Sequence, residues 1–162
     1  MRYYIQQKVF SFSDEFTIKN AQGDDIFRVK GKLMSLGNKL RIYSMDGREL
    51  VYIEQKLFRF LPEYHIYIDN TYGAMVKKEF TFMRPKLYIE SKFGNYNVEG
   101  NFFQHNFDIF KNGSTVASID KKIMSWSDSY EVGIADTENQ VFMLALVIVI
   151  DQIFHDNKNN NN

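Results

Sequence analysis

Residues 141–150 read VFMLALVIVI, and this stretch decides the fold of the chain. None of its side chains is polar, and two more apolar residues, Ile153 and Phe154, follow shortly after it. The β-branched residues would also permit a strand, but the segment extends through Phe154, about eighteen residues from a candidate cap at Asp136 or Thr137, and this length favours a helix. A helix that is apolar on every side must be surrounded by protein. We therefore predict a helix buried at the centre of the domain.

The flanking residues set the limits of this helix. Thr137 followed by Gln140 is a capping-box pattern, so we predict a helix over 136–154 with Asp136 or Thr137 as its cap. A bilayer span needs about 20 apolar residues, so the segment is too short to cross a membrane. The predicted core positions on it are Val141, Phe142, Leu144, Leu146, Val147, Ile148 and Ile150.

The rest of the chain has the pattern of antiparallel strands. Turn signals, such as DG at 46–47 and NG at 112–113, recur at intervals of about 8–12 residues. Between them apolar and polar residues alternate, as in KLRI at 39–42. This period of two, with one face in water, is typical of antiparallel strands. The segments number about twelve.

An internal repeat indicates that the strands close on themselves. Residues 46–68 align without gaps on residues 112–134, and Tyr64 matches Tyr130. Two copies of one hairpin unit suit a pseudo-symmetric barrel. A barrel of about twelve strands is wider than side chains alone can fill, and a helix about 10–12 Å across would occupy its lumen.

The predicted fold is therefore all-β with one helix: a closed antiparallel barrel of about twelve strands around a central apolar C-terminal helix. We expect one domain over 1–155 and a disordered Asn-rich tail over 156–162.

Composition excludes several classes of function. The 162 residues carry 20 basic and 20 acidic side chains, so the net charge is zero and nucleic acid is not an expected partner. There is no cysteine, which removes thiolate catalysis and thiolate metal sites. The first residues lack the apolar core of a signal peptide, so a cytoplasmic location is expected.

Several segments together resemble the LURP-one-related family. They are YIQQKVFS at 4–11, FRVKGK at 27–32, IEQKLF at 53–58, WSDSYE at 126–131, and the apolar helix that follows IAD at 134–136. Their order and spacing are similar to those of compact bacterial-type members. The resemblance implies the fold of the tubby C-terminal domain and the phospholipid scramblases, a twelve-stranded barrel around a C-terminal helix.

What the resemblance implies about function is limited. Tubby domains bind phosphoinositide headgroups, scramblases act at membranes, and plant LURP-one-related proteins are linked to pathogen defence. No motif in this sequence matches the headgroup residues of tubby domains. Any binding site must therefore be sought in the residues themselves.

The densest cluster of cations lies between residues 26 and 45, where no acidic residue occurs. Alternation places all five cations on the solvent face of one predicted hairpin, and they are Arg28, Lys30, Lys32, Lys39 and Arg41. Such a face could bind phosphate or an acidic lipid headgroup. Alternatively, it is a solvated face that keeps the protein soluble. At about 1 kcal/mol each, five cations give roughly millimolar affinity, enough to steer the domain to a membrane but not to hold it there.

Metal binding and catalysis are less favoured. The histidines, His65, His105 and His155, are scattered, so we expect surface or helix-capping roles and no metal or cofactor. A polar cluster surrounds Trp126 and contains Ser125, Ser127, Asp128 and Ser129. It is most simply the connection between two strands, because no nucleophile, base and orienting group converge in the sequence.

Three hypotheses follow from these patterns. The leading one is a non-enzymatic domain, peripheral to the membrane, that binds an anionic ligand or an acidic headgroup through the 28–41 face. The second is a protein-interaction scaffold that uses exposed aromatic residues, for which the candidates are Tyr96, Phe102, Phe103 and Phe110. The third is an enzyme with its site at the Trp126 connection.

Overall fold

The computed structural model describes residues 1–6, 15–32, 37–124 and 127–155. Its strands are β1 Arg2–Gln6, β2 Glu15–Asn20, β3 Asp25–Lys32, β4 Lys39–Ser44, β5 Glu49–Gln55, β6 Glu63–Ile68, β7 Thr71–Glu79, β8 Lys86–Ser91, β9 Tyr96–Asn101, β10 Asn106–Lys111, β11 Ser114–Met124 and β12 Ser127–Ile134. A short 3₁₀ helix, Phe102–Gln104, precedes β10, and helix α1, Gln140–His155, follows β12. The tail at 156–162, predicted to be disordered, lies outside the described residues.

The twelve strands form a single antiparallel sheet that curls into a nearly closed barrel. Every strand pairs with its neighbours in sequence except β8 and β9, which are not paired with each other, and β1 pairs with β12. Among the described residues no hydrogen-bonded ladder joins β8 to β9, so one seam remains. The predicted fold, an antiparallel barrel of about twelve strands with one C-terminal helix, is confirmed.

The alternation in each strand places one face against the barrel interior. Leu40 and Ile42 of β4 and Tyr64 and Ile66 of β6 are buried, whereas their neighbours along the strands are half-buried or exposed. Because the side-chain period of a strand is two, the sequence pattern fixes which face each strand buries.

Helix α1 lies in the barrel lumen. All the predicted core positions on it are fully buried except Val141, which is half-buried and packs against the core. The predicted cap is wrong: the helix begins at Gln140, and the side chain of Asn139 accepts a hydrogen bond from the Phe142 N–H at 2.9 Å. Residues 136–139 form a turn instead, and asparagine is among the best residues at a helix cap.

The two ends of the barrel differ. Because consecutive strands run in opposite directions, every second connection lies at the same end. One end, the turn end, carries the short turns after β2, β4, β6, β8 and β10 and the start of α1. The other, the rim end, carries the connections 56–62, 80–85 and 102–105 and the end of α1.

Candidate functional site: an apolar rim at one end of the barrel

The predicted basic face lies on neighbouring strands. In the ladder between β3 and β4, Lys30 is opposite Arg41 and Lys32 is opposite Lys39. Arg28, Lys30 and Arg41 have side chains that are about half exposed. The side chain of Lys32 lies outside the described part of the chain. The pairing of this hairpin is therefore the one that the sequence predicted, whereas anion binding by its cations stays a prediction.

Acidic side chains from the adjacent strands neutralise much of this face. Glu15 of β2 lies 3.2 Å from Arg28 Nε and 3.5 Å from Lys30 Nζ, and Glu49 of β5 lies 3.2 Å from Arg41 Nε. The window 26–45 contains no acid because these acids belong to neighbouring strands. A face of mixed charge attracts an anionic surface much less than five unpaired cations would.

The most exposed apolar surface of the protein was not predicted from the sequence. Phe58 is 100% exposed and Phe60 93% exposed in the connection 56–62, and Phe82 and Met83 are each 94% exposed in the connection 80–85. These connections follow β5 and β7, so both lie at the rim end. We call these four side chains, together with Leu57 and Phe80, the apolar rim.

Backbone and side-chain contacts hold the two connections in place. Across the base of the first, the Lys56 N–H donates to the Glu63 carbonyl at 2.8 Å. The Lys78 N–H of β7 donates to the Pro62 carbonyl at 3.0 Å and so ties the first connection to β7. Phe58 has a φ of 58°, in the left-handed region that a bulky residue rarely adopts. These hydrogen bonds anchor the base of the first connection to β6 and β7.

Within the second connection, two contacts support the exposed tip. Phe80 and Phe82 pack edge to face with ring centres 5.3 Å apart. The hydroxyl of Thr81 donates to the Arg84 carbonyl at 2.5 Å.

Cations lie directly beneath the apolar rim. A cleft of about 570 Å³ between the two connections is lined by the cations Arg59, Lys77, Lys78 and Lys86 and by the carboxylates of Glu63 and Glu79. Arg59 Nε pairs with Glu63 at 3.3 Å, and Lys78 Nζ lies 5.6 Å from the centre of the Phe154 ring. Apolar tips with cations set behind them match the layering of a lipid surface, where the acidic headgroups lie outside the hydrocarbon.

The aromatic residues proposed for a protein interface are mostly inside. Tyr96 and Phe102 are buried and Phe110 is half-buried, so the expected exposure is wrong for the first two. Tyr96 faces the lumen, where its hydroxyl donates to Glu138 at 2.7 Å and burial raises its pKa well above the ordinary value. Phe103 alone of the four is exposed, at 59%.

A buried polar cluster surrounds the last turns of α1. His105 Nε2 lies 2.5 Å from Asp151 Oδ1, and its ring stacks on Tyr130 at 4.8 Å. Of the two roles expected for His105, the surface role is wrong, because the residue is buried and Asp151 of the helix gives its ring a partner inside the barrel. The capping role is found at the 3₁₀ helix, where the His105 N–H donates to the Phe102 carbonyl at 3.4 Å. Burial and the nearby Asp151 carboxylate raise the pKa of Tyr130. His105, Asp151 and Tyr130 are all buried, so we assign them to the packing of the helix.

Little supports the other predicted sites. Ser125 and Trp126 lie outside the described residues, and Ser129 is buried. His65 Nε2 lies 2.9 Å from Glu63, and within the described ranges no three potential metal ligands come together. No helix in the described part of the chain is long and apolar enough to span a membrane. The absence of catalysis stays a prediction.

A sequence model of the LURP-one-related family matches residues 1–151. The chain belongs to the LURP-one-related family. The uncharacterized protein YxjI of Bacillus subtilis is 34% identical over 155 residues, covering 96% of this chain and 94% of that protein. These matches confirm the resemblance found in the sequence.

A solved structure supports the LURP-one-related fold. A protein from Arabidopsis thaliana superposes with a TM-score of 0.68 at 16% identity, covering 94% of this chain and 90% of that one. At this level of identity the likeness concerns the fold alone. The function must therefore be argued from the surface of this LURP-one-related domain.

A sequence signal for the apolar rim was present. The two connections read KLFRFLP at 56–62 and FTFMRPK at 80–86, so each sets two aromatic residues and an arginine beside a proline. Proline disfavours a central strand, so an apolar run that ends in proline is a candidate for an exposed loop. Composition alone could not identify this surface, because Phe and Met are usually core residues.

Proposed function

We propose that this LURP-one-related domain is a peripheral membrane-binding module that inserts its apolar rim into the surface of an acidic bilayer. The observation that carries the proposal is the near-complete exposure of Phe58, Phe60, Phe82 and Met83 at two neighbouring tips. Monomeric proteins rarely expose contiguous apolar patches of this kind unless the patch meets a partner or a membrane.

The expected free energies of binding favour the apolar rim over the 28–41 face as the membrane-binding surface. Moving one Phe or Met side chain fully out of water stabilises by about 1.5–3 kcal/mol. The four most exposed rim side chains therefore supply about 6–12 kcal/mol on full insertion. Each cation near an acidic surface contributes about 1 kcal/mol, and most cations on the 28–41 face already contact a glutamate. The rim supplies the affinity, whereas cations supply the preference for acidic lipid.

Cations at the rim end lie where they could contact acidic lipid headgroups. Lys77 and Lys78 on β7 and Lys86 on β8 line the cleft between the two inserting connections. When the tips enter the bilayer, these ammonium groups reach the depth of the headgroup phosphates. The proposal keeps the expected acidic headgroup as the ligand and moves its site from the β3–β4 face to the rim end.

The test is co-sedimentation with liposomes of neutral or acidic composition at low and physiological salt. We expect binding to acidic vesicles, and a double variant, Phe60→Ser with Phe82→Ser, should reduce the partition coefficient at least tenfold. The matched control is Tyr72→Ser with Tyr88→Ser, which removes two exposed aromatic rings from the outer barrel face. Equal binding by the folded rim variant and the control would rule out insertion of the rim.

A second candidate function rests on a different surface. On the outer face of β5–β7 the rings of Tyr52 and Tyr67 lie 5.8 Å apart, those of Tyr67 and Tyr72 lie 5.9 Å apart, and Arg41 lies 4.7 Å from the Tyr52 ring. Tyrosine and arginine are enriched at protein-binding hot spots. A partner that is lost with Tyr67→Ala and retained by the rim variant would support a protein-interaction role.

A further inference from the structure

The seam between β8 and β9 is an opening in the barrel wall. In the described sheet each of these strands pairs on one side only, β8 with β7 and β9 with β10. A cleft of about 900 Å³ lies at the seam, lined by residues 84–87 on one side and 97–103 on the other. The turn between Ser91 and Tyr96 holds the other ends of the two strands together, so the cleft opens towards the rim end.

The inner wall of the cleft is apolar. Leu87 of β8 and Val98 of β9 face inwards and are half-buried, and Phe102 and Phe103 lie at the rim end of the cleft. Gly100 has a φ of 137°, and a Cβ there would lie 2.5 Å from the Asn106 carbonyl oxygen. Glycine at this position therefore permits the close approach of β9 to β10 at the rim end of the cleft. The space suits an alkyl chain.

The lip of the cleft carries both signs of charge. Arg84 and Lys86 lie on one side together with Glu79, and Glu99 lies on the other. Among the described residues none of these four side chains is within ion-pair distance of an opposite charge. A ligand that carries one negative and one positive group would complement such a lip, whereas a simple anion would meet both carboxylates.

We propose that this cleft binds the alkyl chain of a zwitterionic phospholipid, with its phosphate at Arg84 and Lys86 and its ammonium group at Glu99. The inference rests on the proposed function, because insertion of the 80–85 connection brings the mouth of the cleft to the bilayer surface. The free edges of β8 and β9 add backbone N–H groups that can donate to phosphate oxygens.

An extended peptide is the competing occupant, since unpaired strand edges can accept an added strand. The cleft exposes only Lys86 and Leu87 of β8, because the strands converge towards the turn after Ser91. Strand β9 exposes residues 97–101 in the cleft, so a peptide could pair with β9 but would meet only two residues of β8. An alkyl chain instead contacts the apolar side chains of both strands, and the dependence of affinity on chain length distinguishes the two occupants.

The test uses alkylphosphocholines below their micelle concentrations, titrated into the full-length protein by isothermal calorimetry. Each buried methylene tightens binding about fourfold, so decylphosphocholine should bind about 15-fold more tightly than octylphosphocholine. Phosphocholine alone should not bind measurably. Decyl phosphate and decyltrimethylammonium, which each carry one sign of charge, should bind more weakly than the zwitterion. Absence of binding, or affinity independent of chain length, overturns the proposal.

Variants test whether the ligand binds in the cleft, and they distinguish binding in the cleft from membrane insertion of the apolar rim. Val98→Trp, or the milder Leu87→Phe if the first fails to fold, should fill the cleft and weaken decylphosphocholine binding at least tenfold. Tyr88→Trp, on the outer face of β8, is the matched control and should bind like the parent. Glu99→Lys should shift the preference to decyl phosphate. The rim variant, Phe60→Ser with Phe82→Ser, should bind decylphosphocholine normally, so failure of vesicle docking and failure of the cleft give different results. Unchanged affinity in both folded cleft-filling variants overturns the proposal.

Discussion

Tyr64 and Tyr130 show at the scale of single residues why the sequence repeat matters. They match in the two halves of the chain, and both are fully buried near the end of α1. The Tyr64 hydroxyl lies 3.4 Å from Asn38 Nδ2, which in turn donates to Gln152 Oε1 at 3.0 Å. Tyr130 stacks on His105, the partner of Asp151. The two copies thus surround adjacent polar residues of the helix, and we infer that these contacts fix its position in the lumen.

Breaking the His105–Asp151 pair should destabilise the fold. His105 Nε2 and Asp151 Oδ1 are both buried, so removal of one member takes a buried hydrogen bond from the other, which costs about 1–3 kcal/mol. We therefore expect Asp151→Ala to lower the free energy of unfolding by that amount in urea denaturation. Asp120→Ala, on an exposed strand position, is the control and should change it by less than about 0.5 kcal/mol. A loss below 1 kcal/mol for Asp151→Ala would mean that the pair does not hold the helix.

Alkaline pH should also destabilise the protein through its buried tyrosines. Burial and Asp151 raise the pKa of Tyr130 above the ordinary value of 10.0, and burial together with Glu138 raises that of Tyr96. A raised pKa in the folded state means that the stabilisation is complete below pH 10 and is lost as pH rises further, since the unfolded chain ionises first. Between pH 7 and pH 11 the urea midpoint should fall less for the Tyr130→Phe variant than for the parent protein. An equal fall in both would contradict the assignment.

Single residues also set the limit of prediction from sequence. His105 and Asp151 are 46 positions apart, and no local pattern links them. The neutralisation of Arg28 and Arg41 was equally hidden, because Glu15 and Glu49 come from other strands. Periodicity predicts which face a residue occupies, but pairing across strands requires the register.

At the scale of elements, the strands and helix α1 were predictable because burial fixes their periods. The alternation at 39–42 and 64–68 predicted the inward residues, and the apolar run at 141–150 predicted the helix. The connections were less predictable, since their exposed side chains are of the same residue types as those that usually form a core. Phe60 and Phe82 continue an alternation that begins at Phe58 and Phe80, as in a strand, and their position at the tips became clear only in three dimensions.

A charge at the centre of α1 tests the role assigned to the helix. Leu146 is fully buried, so Leu146→Asp places a carboxylate in the barrel lumen without a partner. We expect no soluble folded protein, as judged by expression and size-exclusion chromatography. The same change at a rim position, Leu57→Asp, should leave the protein folded because that side chain is exposed. A folded monomeric Leu146→Asp protein would show that the helix is not central to stability.

At the scale of the whole molecule, the barrel is polarised from end to end. Of the eleven large apolar side chains that are exposed in the described residues, seven lie in the rim-end connections 56–62, 80–85 and 102–105. The turn end carries glycine, asparagine and aspartate turns such as those at 46–47 and 112–113. The up-and-down topology produces this separation, because it sends every second connection to the same end. The proposed function would place this barrel on the membrane with the rim end towards the bilayer.

The depth of the rim in the bilayer tests this account most directly. The chain has one tryptophan, so Trp126→Phe gives a silent background in which Phe82→Trp reports on the rim. Tyr72→Trp in the same background reports on the outer barrel face. With acidic vesicles that contain brominated lipids, we expect quenching and a blue shift for the Phe82→Trp probe and neither for the Tyr72→Trp probe. If vesicles bind while the Phe82→Trp probe stays unquenched, the rim does not enter the bilayer and the central claim is wrong.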